Sequence, residues 1–477
     1  MSSLKDKTAK GFIWSSIDRF SGQAIQFVFS ILIARLLTPE DYGVIAMLGV
    51  FLAVSQTFID SGFGTALIRK VNRTEMDFST VFYFNILVAI IFYFILFLGA
   101  PLIAEFYNTP LLKPITRVIS LSLIISSLSG IHNTKLSIAI DFKSKAKASI
   151  ISALFTGVVG LWLAYAGYGV WALVVQNLCL RIIWTVMMWV YVKWRPQLVF
   201  SWQSFKELFS FGSKLLASGL LDTLYNNLYT LVIGKVFSSS TLGVYSKANS
   251  LAQFPSFNIT SVVQTVSFPV LSTIQNEEDR LAVVYRRLLK LSAFIVFPLM
   301  IGLSAVAEPL IRIILTDKWL EAIPILQILC FSLMWYPINT INLNILQVKG
   351  RSDYFLKLEV IKKVQGVLFL CVTVPMGIIA MCVGNIINTL INLIWNIYYT
   401  KKLINYGFFE QLKDLIPILL HSLLMGIIVT LVVHYAPTTW VKLIAGVLSG
   451  IIYYLVGSYI MKFPELKEIL IMLKWDK

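Results

Sequence analysis

Hydrophobic positions in this chain form long unbroken runs separated by short polar breaks, rather than an alternating pattern or a narrow helical stripe. About twenty apolar residues suffice for one helix to cross a bilayer core, and runs of that length follow one another almost end to end. They predict fourteen membrane spans, near residues 11–36, 41–65, 78–101, 115–135, 147–166, 169–192, 208–235, 241–268, 288–307, 322–347, 355–375, 377–400, 414–434 and 440–461. The fold class this implies is all-α, a polytopic membrane protein.

The first break between runs is a helix stop followed by a helix start, Ile33-Ala34-Arg35-Leu36-Leu37-Thr38-Pro39-Glu40-Asp41-Tyr42-Gly43-Val44. Arg35 suits the negative end of the first helix dipole. Thr38 can cap the second helix, Pro39 fits its first position, and Glu40 and Asp41 place acids in its first turn. The stretch recurs about two hundred residues later as Ile233-Gly234-Lys235-Val236-Phe237-Ser238-Ser239-Ser240-Thr241-Leu242-Gly243-Val244, without the Pro and both acids. Six predicted spans separate the copies, so the halves share one orientation: two parallel six-helix lobes followed by two extra spans. Parallel halves around a midplane site are one recurring transporter design. The division expected is a first lobe at 1–193, a cytoplasmic linker at 194–207, a second lobe at 208–402 and two further helices with a tail at 403–477.

Composition agrees with this pattern, at 57% hydrophobic and 13% charged residues. Forty Lys and Arg against 24 Asp and Glu would point to nucleic acid in a soluble protein. Here the cations fall mainly on one side of the predicted membrane, as the positive-inside rule requires, so no nucleic-acid partner is expected. That side carries both termini. The other has only Arg35, Lys113, Arg117, Lys235, Arg312, Lys318 and Lys442. Both termini are therefore expected in the cytoplasm, and the start of the chain reads as a retained first span rather than a cleaved signal. Three cytoplasmic stretches, Leu198–Leu208, Tyr285–Leu289 and Gly407–Leu415, read as short amphipathic helices at the membrane surface. Loops on the opposite side are no longer than about fifteen residues.

Ionisable groups inside spans are costly to place in lipid and so face the protein interior. Asp18 and Arg19 lie two turns into the first span, with Gln23 and Gln26 continuing the side of Arg19. Gln56 and Asp60 are one turn apart in the second. Lys214, Ser218 and Asp222 recur at helical spacing in the seventh, Lys247 and Gln253 lie in the eighth, and Arg181 sits mid-way along the sixth. Asn339 and Asn342 in the tenth span and Asn385, Asn388, Asn392 and Asn396 in the twelfth read first as interhelical glue. Arg19, Lys214, Lys247 and Arg181 instead predict a positive cavity, and a diphosphate would satisfy several such donors together. Asp18, Asp60 and Asp222 are candidates for ion coupling or for pairs between the lobes.

Cys179, Cys330, Cys371 and Cys382 all lie in apolar runs, and His132, His421 and His434 are scattered. Neither set has metal-site spacing. No phosphate-binding loop ending in Gly-Lys-Ser/Thr and no catalytic constellation occurs. Neither an enzyme nor a cofactor is expected.

The stretch Ala34–Val44, followed by Asp60-Ser61-Gly62-Phe63-Gly64 and Ala66-Leu67-Ile68-Arg69, resembles bacterial polysaccharide and lipopolysaccharide exporters. These are Wzx-type oligosaccharide flippases of the multidrug/oligosaccharidyl-lipid/polysaccharide exporter superfamily. Trp194-Arg195-Pro196 through Phe211-Gly212 is similar to that family's link between lobes. The resemblance implies an inner-membrane flippase that carries an undecaprenyl-pyrophosphate-linked oligosaccharide to the periplasmic leaflet by alternating access, driven by an ion gradient. Membrane lipids, a polysaccharide polymerase and glycosyltransferases are the partners it implies, and the last two spans would help to hold the lipid tail. Two alternatives share parts of this pattern: a multidrug or small-metabolite antiporter of the same superfamily, and a membrane glycosyltransferase or polymerase. The latter calls for a long acidic external loop, and Glu308–Glu321 is short.

Overall fold

The computed structural model describes residues 21–474, with the side chains of 472–474 left aside. It is helical throughout, without a β-strand among the described residues. Residues 11–20 of the first predicted span lie outside the described residues; within the described residues each predicted span falls on helix, some with a break. Ten of the helical segments are long and apolar enough to cross a membrane, which makes this a multi-pass membrane protein. Candidate polar residues concentrate in helices outside those ten. These are α9 (Trp202–Val236) and α10 (Ser239–Thr273), which carry Lys214, Asp222 and Lys247, and α15 (Ser352–Thr373), with Lys362 and Lys363 within its length.

The chain divides into two compact units, Met1–Gly243 and Val244–Lys477. In the first, the described part of α1 (Ser21–Leu36) leads into α2 (Pro39–Asp60). Thr38 caps α2 as its sequence predicts. Its hydroxyl accepts the Asp41 amide at 3.3 Å while the Asp41 carboxylate accepts the Thr38 amide at 2.9 Å, which satisfies two orphan helix donors at once. The helix ends where Ser61 and Gly62 both take left-handed backbone, at φ 40° and 68°, and α3 (Phe63–Arg69) restarts beyond. Next come α4 (Glu75–Phe106), α5 (Leu112–Ile119), α6 (Leu121–Ile138), α7 (Phe142–Tyr165) and α8 (Val170–Tyr191). The predicted span 115–135 is thus two helices meeting at Ser120, whose hydroxyl bonds back to the Arg117 carbonyl at 3.2 Å. Such back-bonding bends helices.

The α9 helix packs along α2 and therefore groups with the first unit, although the internal repeat counts it with the second lobe. The connection before it is extended and pinned. Ser79 Oγ accepts the Gln197 amide at 3.0 Å and Thr80 Oγ1 the Ser201 amide at 3.1 Å. Helix begins only at Trp202, capped by Ser201, so no separate surface helix spans Leu198–Leu208.

The second unit holds most of α10, then α11 (Glu278–Ala305), α12 (Ala307–Ile314), α13 (Ala322–Leu333), α14 (Tyr336–Val348), α15, α16 (Ile378–Ile404), α17 (Phe408–Tyr435), α18 (Thr439–Ile460) and α19 (Pro464–Lys474). Pro337, which has no N–H to donate, accompanies the break between α13 and α14 inside the predicted span 322–347. The other two predicted surface helices are corrected here as well. Gly407–Leu415 forms the cap and first turns of α17, and Tyr285–Leu289 lies inside α11 with Tyr285 fully buried. Buried side-chain partners, described below, hold both against the unit.

Candidate functional site

In the first unit the site grows out of the last turns of α2. Gln56 Nε2 donates to Asp60 Oδ1 at 3.0 Å, a pairing of residues one helical turn apart. Arg181, exposed on α8, feels the charge of Asp60. Helix α9 reaches the same region through small residues. Thr57 and Thr223 share a hydroxyl–hydroxyl hydrogen bond at 2.9 Å. A Cβ added to Gly212 would lie 2.6 Å from the Ser61 carbonyl oxygen, and one on Gly62 would lie 2.8 Å from Leu215 Cβ. Asp222 and Lys214, both exposed, are the chain neighbours of the seam residues Thr223 and Leu215.

Of the seven predicted residues, Asp60 and Arg181 are brought together, and Lys214 and Asp222 lie beside the α9 residues that pack on the end of α2. Among the described residues no carboxylate forms an ion pair with Arg181 or Lys214. An exposed guanidinium of this kind presents a planar fork of donors that matches phosphate oxygens, and an ammonium adds a point charge. The local charge is balanced, since Asp60 and Asp222 accompany the two cations. Lys247 belongs to the second unit, on α10, where it is buried at 5% exposure. Asp18 and Arg19 lie outside the described residues.

Charges in the second unit are arranged differently. Arg286 forms a bidentate pair with Asp414, which also accepts the Tyr406 hydroxyl. Asp414 is 7% exposed. Burial raises the Tyr406 hydroxyl pKa most, and its hydrogen bond to the Asp414 carboxylate adds to that rise. Arg287 meets Glu468 at 2.7 Å and Lys290 meets Glu465 at 2.6 Å. Beside them, Asn342 Oδ1 accepts from Tyr285 at 2.7 Å, Thr400 at 3.0 Å and Gln411 at 3.2 Å. Asn396 donates to Asn339 at 2.7 Å, and Gln365 donates to Asn388 at 2.8 Å. These amides join helices, in line with their reading as glue. Sequence reasoning missed the role of Asp414. Its signal, an acid amid apolar residues in Gly407–Leu415, has the same periodicity as a surface helix.

The second unit also contains a groove of about 510 Å³ between α10, α11, α12, α17 and α18. Pro298, Leu299, Met425, Val447 and Ile451 line it, with Tyr454 as a polar-tipped neighbour. The Tyr454 hydroxyl is turned away to the Phe294 carbonyl, at 2.9 Å. Gly446 and Gly450 let α18 approach Val429 and Val433 of α17 closely at its floor. With its polar atoms so committed, such a surface suits a hydrocarbon chain. No group of three or more His, Cys, Asp or Glu gathers among the described residues.

A family model described as "Polysaccharide biosynthesis protein" matches residues 32–324. The chain is 28% identical over 358 residues to the teichuronic acid biosynthesis protein TuaB of Bacillus subtilis, covering 74% of each chain. It is 26% identical over 371 residues to the lipopolysaccharide biosynthesis protein WzxC of Escherichia coli, covering 76% of this chain and 74% of that one. Among solved structures, the lipid II flippase MurJ in an inward closed conformation superposes with a TM-score of 0.79 at 17% identity, over 94% of this chain and 98% of that chain. At that identity the likeness establishes the fold.

Proposed function

The chain belongs to the polysaccharide biosynthesis protein family, and we propose that it is a flippase for an undecaprenyl-diphosphate-linked oligosaccharide. Its fold is that of a transporter, not an enzyme. One observation supports the reading: the chain offers separate surfaces suited to the diphosphate and to the hydrocarbon chain of such a lipid. A polar face with exposed cations lies around the end of α2, and an apolar groove is built on the last helices. A hydrophobic metabolite would use the groove alone.

In this reading Arg181 and Lys214, with Arg19 and Lys247, bind the diphosphate. Asp60, Asp222 and Asp18 couple the cycle to an ion or pair across the lobes. The saccharide moves from the cytoplasmic to the outer leaflet of the bacterial inner membrane. Both termini stay in the cytoplasm, where glycosyltransferases build the substrate, and a polymerase takes it up on the far side. The test is reconstitution in proteoliposomes with a fluorescent lipid-linked oligosaccharide. Protein-dependent loss of accessibility to a membrane-impermeant quencher supports the proposal. Equal rates with and without protein contradict it, and uptake of small organic cations instead would assign the chain to drug export.

A further inference from the structure

Arg69, Lys70 and Arg73 follow one another where α3 gives way to α4, and two of these cations are taken up by the fold. The Lys70 ammonium meets Asp77 at 3.1 Å and Glu207 at 2.9 Å. Arg73 donates to the carbonyls of Ile68 at 3.3 Å and Lys70 at 3.1 Å. Arg69, exposed at the last residue of α3, meets no carboxylate among the described residues. Its guanidinium lies instead over the Phe211 ring of α9, 4.5 Å from the centroid. Stacking occupies the face of a guanidinium and leaves the N–H donors at its edge free. Arg69 is thus held in place with its donors open.

The local fold fixes where those donors sit. Left-handed backbone at Ser61 and Gly62 ends α2, and α3 turns off against α9. The fully buried Phe63 packs there, its ring centred 5.9 Å from that of Phe205 and 6.2 Å from that of Phe209. Gly212, the residue after Phe211, is the one that meets the Ser61 carbonyl. Lys214 follows Phe211 by three residues, so the two share a face of α9 about 4.5 Å apart along its axis. Arg69 is therefore stacked at the head of a row that continues through Lys214 and Ser218 to Asp222. The architecture alone does not call for this cation. At the interval of two hundred residues that relates the motif copies, Asp60 corresponds to Thr260 and Arg69 to Pro269. Helix α10 runs on through both, and its last turn carries no basic residue.

We propose that Arg69 is the capture residue for the diphosphate, meeting the group at the cation-rich end of the predicted spans and passing it to Lys214. The inference rests on the flippase reading for the lipid, and its tests separate the two. In proteoliposomes Arg69→Ala should raise the half-saturating concentration of the fluorescent lipid-linked oligosaccharide about tenfold. The maximal rate should stay within about twofold of the parent, the signature of binding that the slow step does not strengthen. Phe211→Leu should raise half-saturation about threefold, as stacking on an exposed guanidinium is weak. Arg69→Lys keeps the charge without the planar fork and should fall between the parent and Arg69→Ala. Arg73→Ala should leave half-saturation near the parent's, because its donors serve backbone carbonyls. A lower maximal rate at unchanged half-saturation in Arg69→Ala would overturn the proposal, as would equal shifts from Arg69→Ala and Arg73→Ala.

If the variants fail to accumulate, the parent protein supplies the test. The purified full-length chain is treated with phenylglyoxal, which modifies arginine, and the modified peptides are followed by mass spectrometry. Inorganic pyrophosphate at several times its dissociation constant should slow modification of Arg69 about fivefold and leave Arg73 nearly unchanged. Farnesyl diphosphate should protect Arg69 at no higher a concentration. Protection by inorganic pyrophosphate alone would overturn a lipid headgroup as the ligand, and protection by neither would overturn the capture role. Protection of Arg69 in a protein that moves no lipid-linked saccharide would instead count against the transport reading and leave Arg69 standing as a diphosphate contact.

Discussion

The two units handle charge in opposite ways. In the second, Arg286, Arg287 and Lys290 on one stretch of α11 each meet an acid from α17 or α19. In the first, Arg181 and Lys214 remain exposed beside two acids around the end of α2, with no ion pair among the described residues. A cation held in a bidentate pair to a buried carboxylate has no donors to spare, and removing its partner leaves a charge stranded. An exposed cation without a carboxylate partner keeps its donors available to a ligand. On the proposed reading the paired charges belong to the architecture and the open ones to the ligand.

Breaking the open side should have the largest effect. Replacing Arg181 and Lys214 together by alanine removes two charge-assisted contacts worth about 1.5 kcal/mol each. Surface polysaccharide in cells lacking the chromosomal copy should therefore fall about a hundredfold, with membrane abundance unchanged on immunoblots. Loss of abundance would move these residues to the architectural class. Asp60→Asn keeps the shape and a partner for Gln56 but removes the charge. Export is expected to fall roughly tenfold while lipid binding is retained, as a residue of the coupling cycle requires.

On the closed side the sign reverses. Asp414→Ala should lower the thermal unfolding midpoint and the abundance, with export per folded molecule near normal. Arg286 is 53% exposed, so the cost is discounted to about 1–2 kcal/mol from that of a fully buried pair. The smallest effect is expected in the groove. Ile451→Trp fills space on its lipid-facing wall and should weaken binding of the polyprenyl chain about threefold, or roughly 0.7 kcal/mol. A larger loss with diphosphate alone than with the full lipid would detach the groove from the tail.

Much of this division can be traced in the sequence, and its gaps have physical reasons. Helix starts were legible where the cap is local, as at Thr38, and Gln56 and Asp60 were correctly placed on one face because helical spacing alone decides that. Tyr285–Leu289 and Gly407–Leu415 were misread because buried networks and membrane surfaces produce the same amphipathic period. Only partners distant in the chain, Asn342 for Tyr285 and Arg286 for Asp414, tell them apart. Depth and charge single out Arg181 and Lys214 in the sequence. Their shared neighbourhood around α2 emerges only from the packing of α8 and α9.

The central claim is that the open cations of the first unit hold a diphosphate. The most direct measurement is equilibrium binding of undecaprenyl diphosphate, and of the same lipid bearing an oligosaccharide, to the purified protein and to its Arg181→Ala, Lys214→Ala variant. The account predicts saturable binding of both lipids, weakened about a hundredfold in a variant that unfolds at the parent's temperature. Equal affinity for the diphosphate lipid and for uncharged undecaprenol, unaltered by the double substitution, would contradict it.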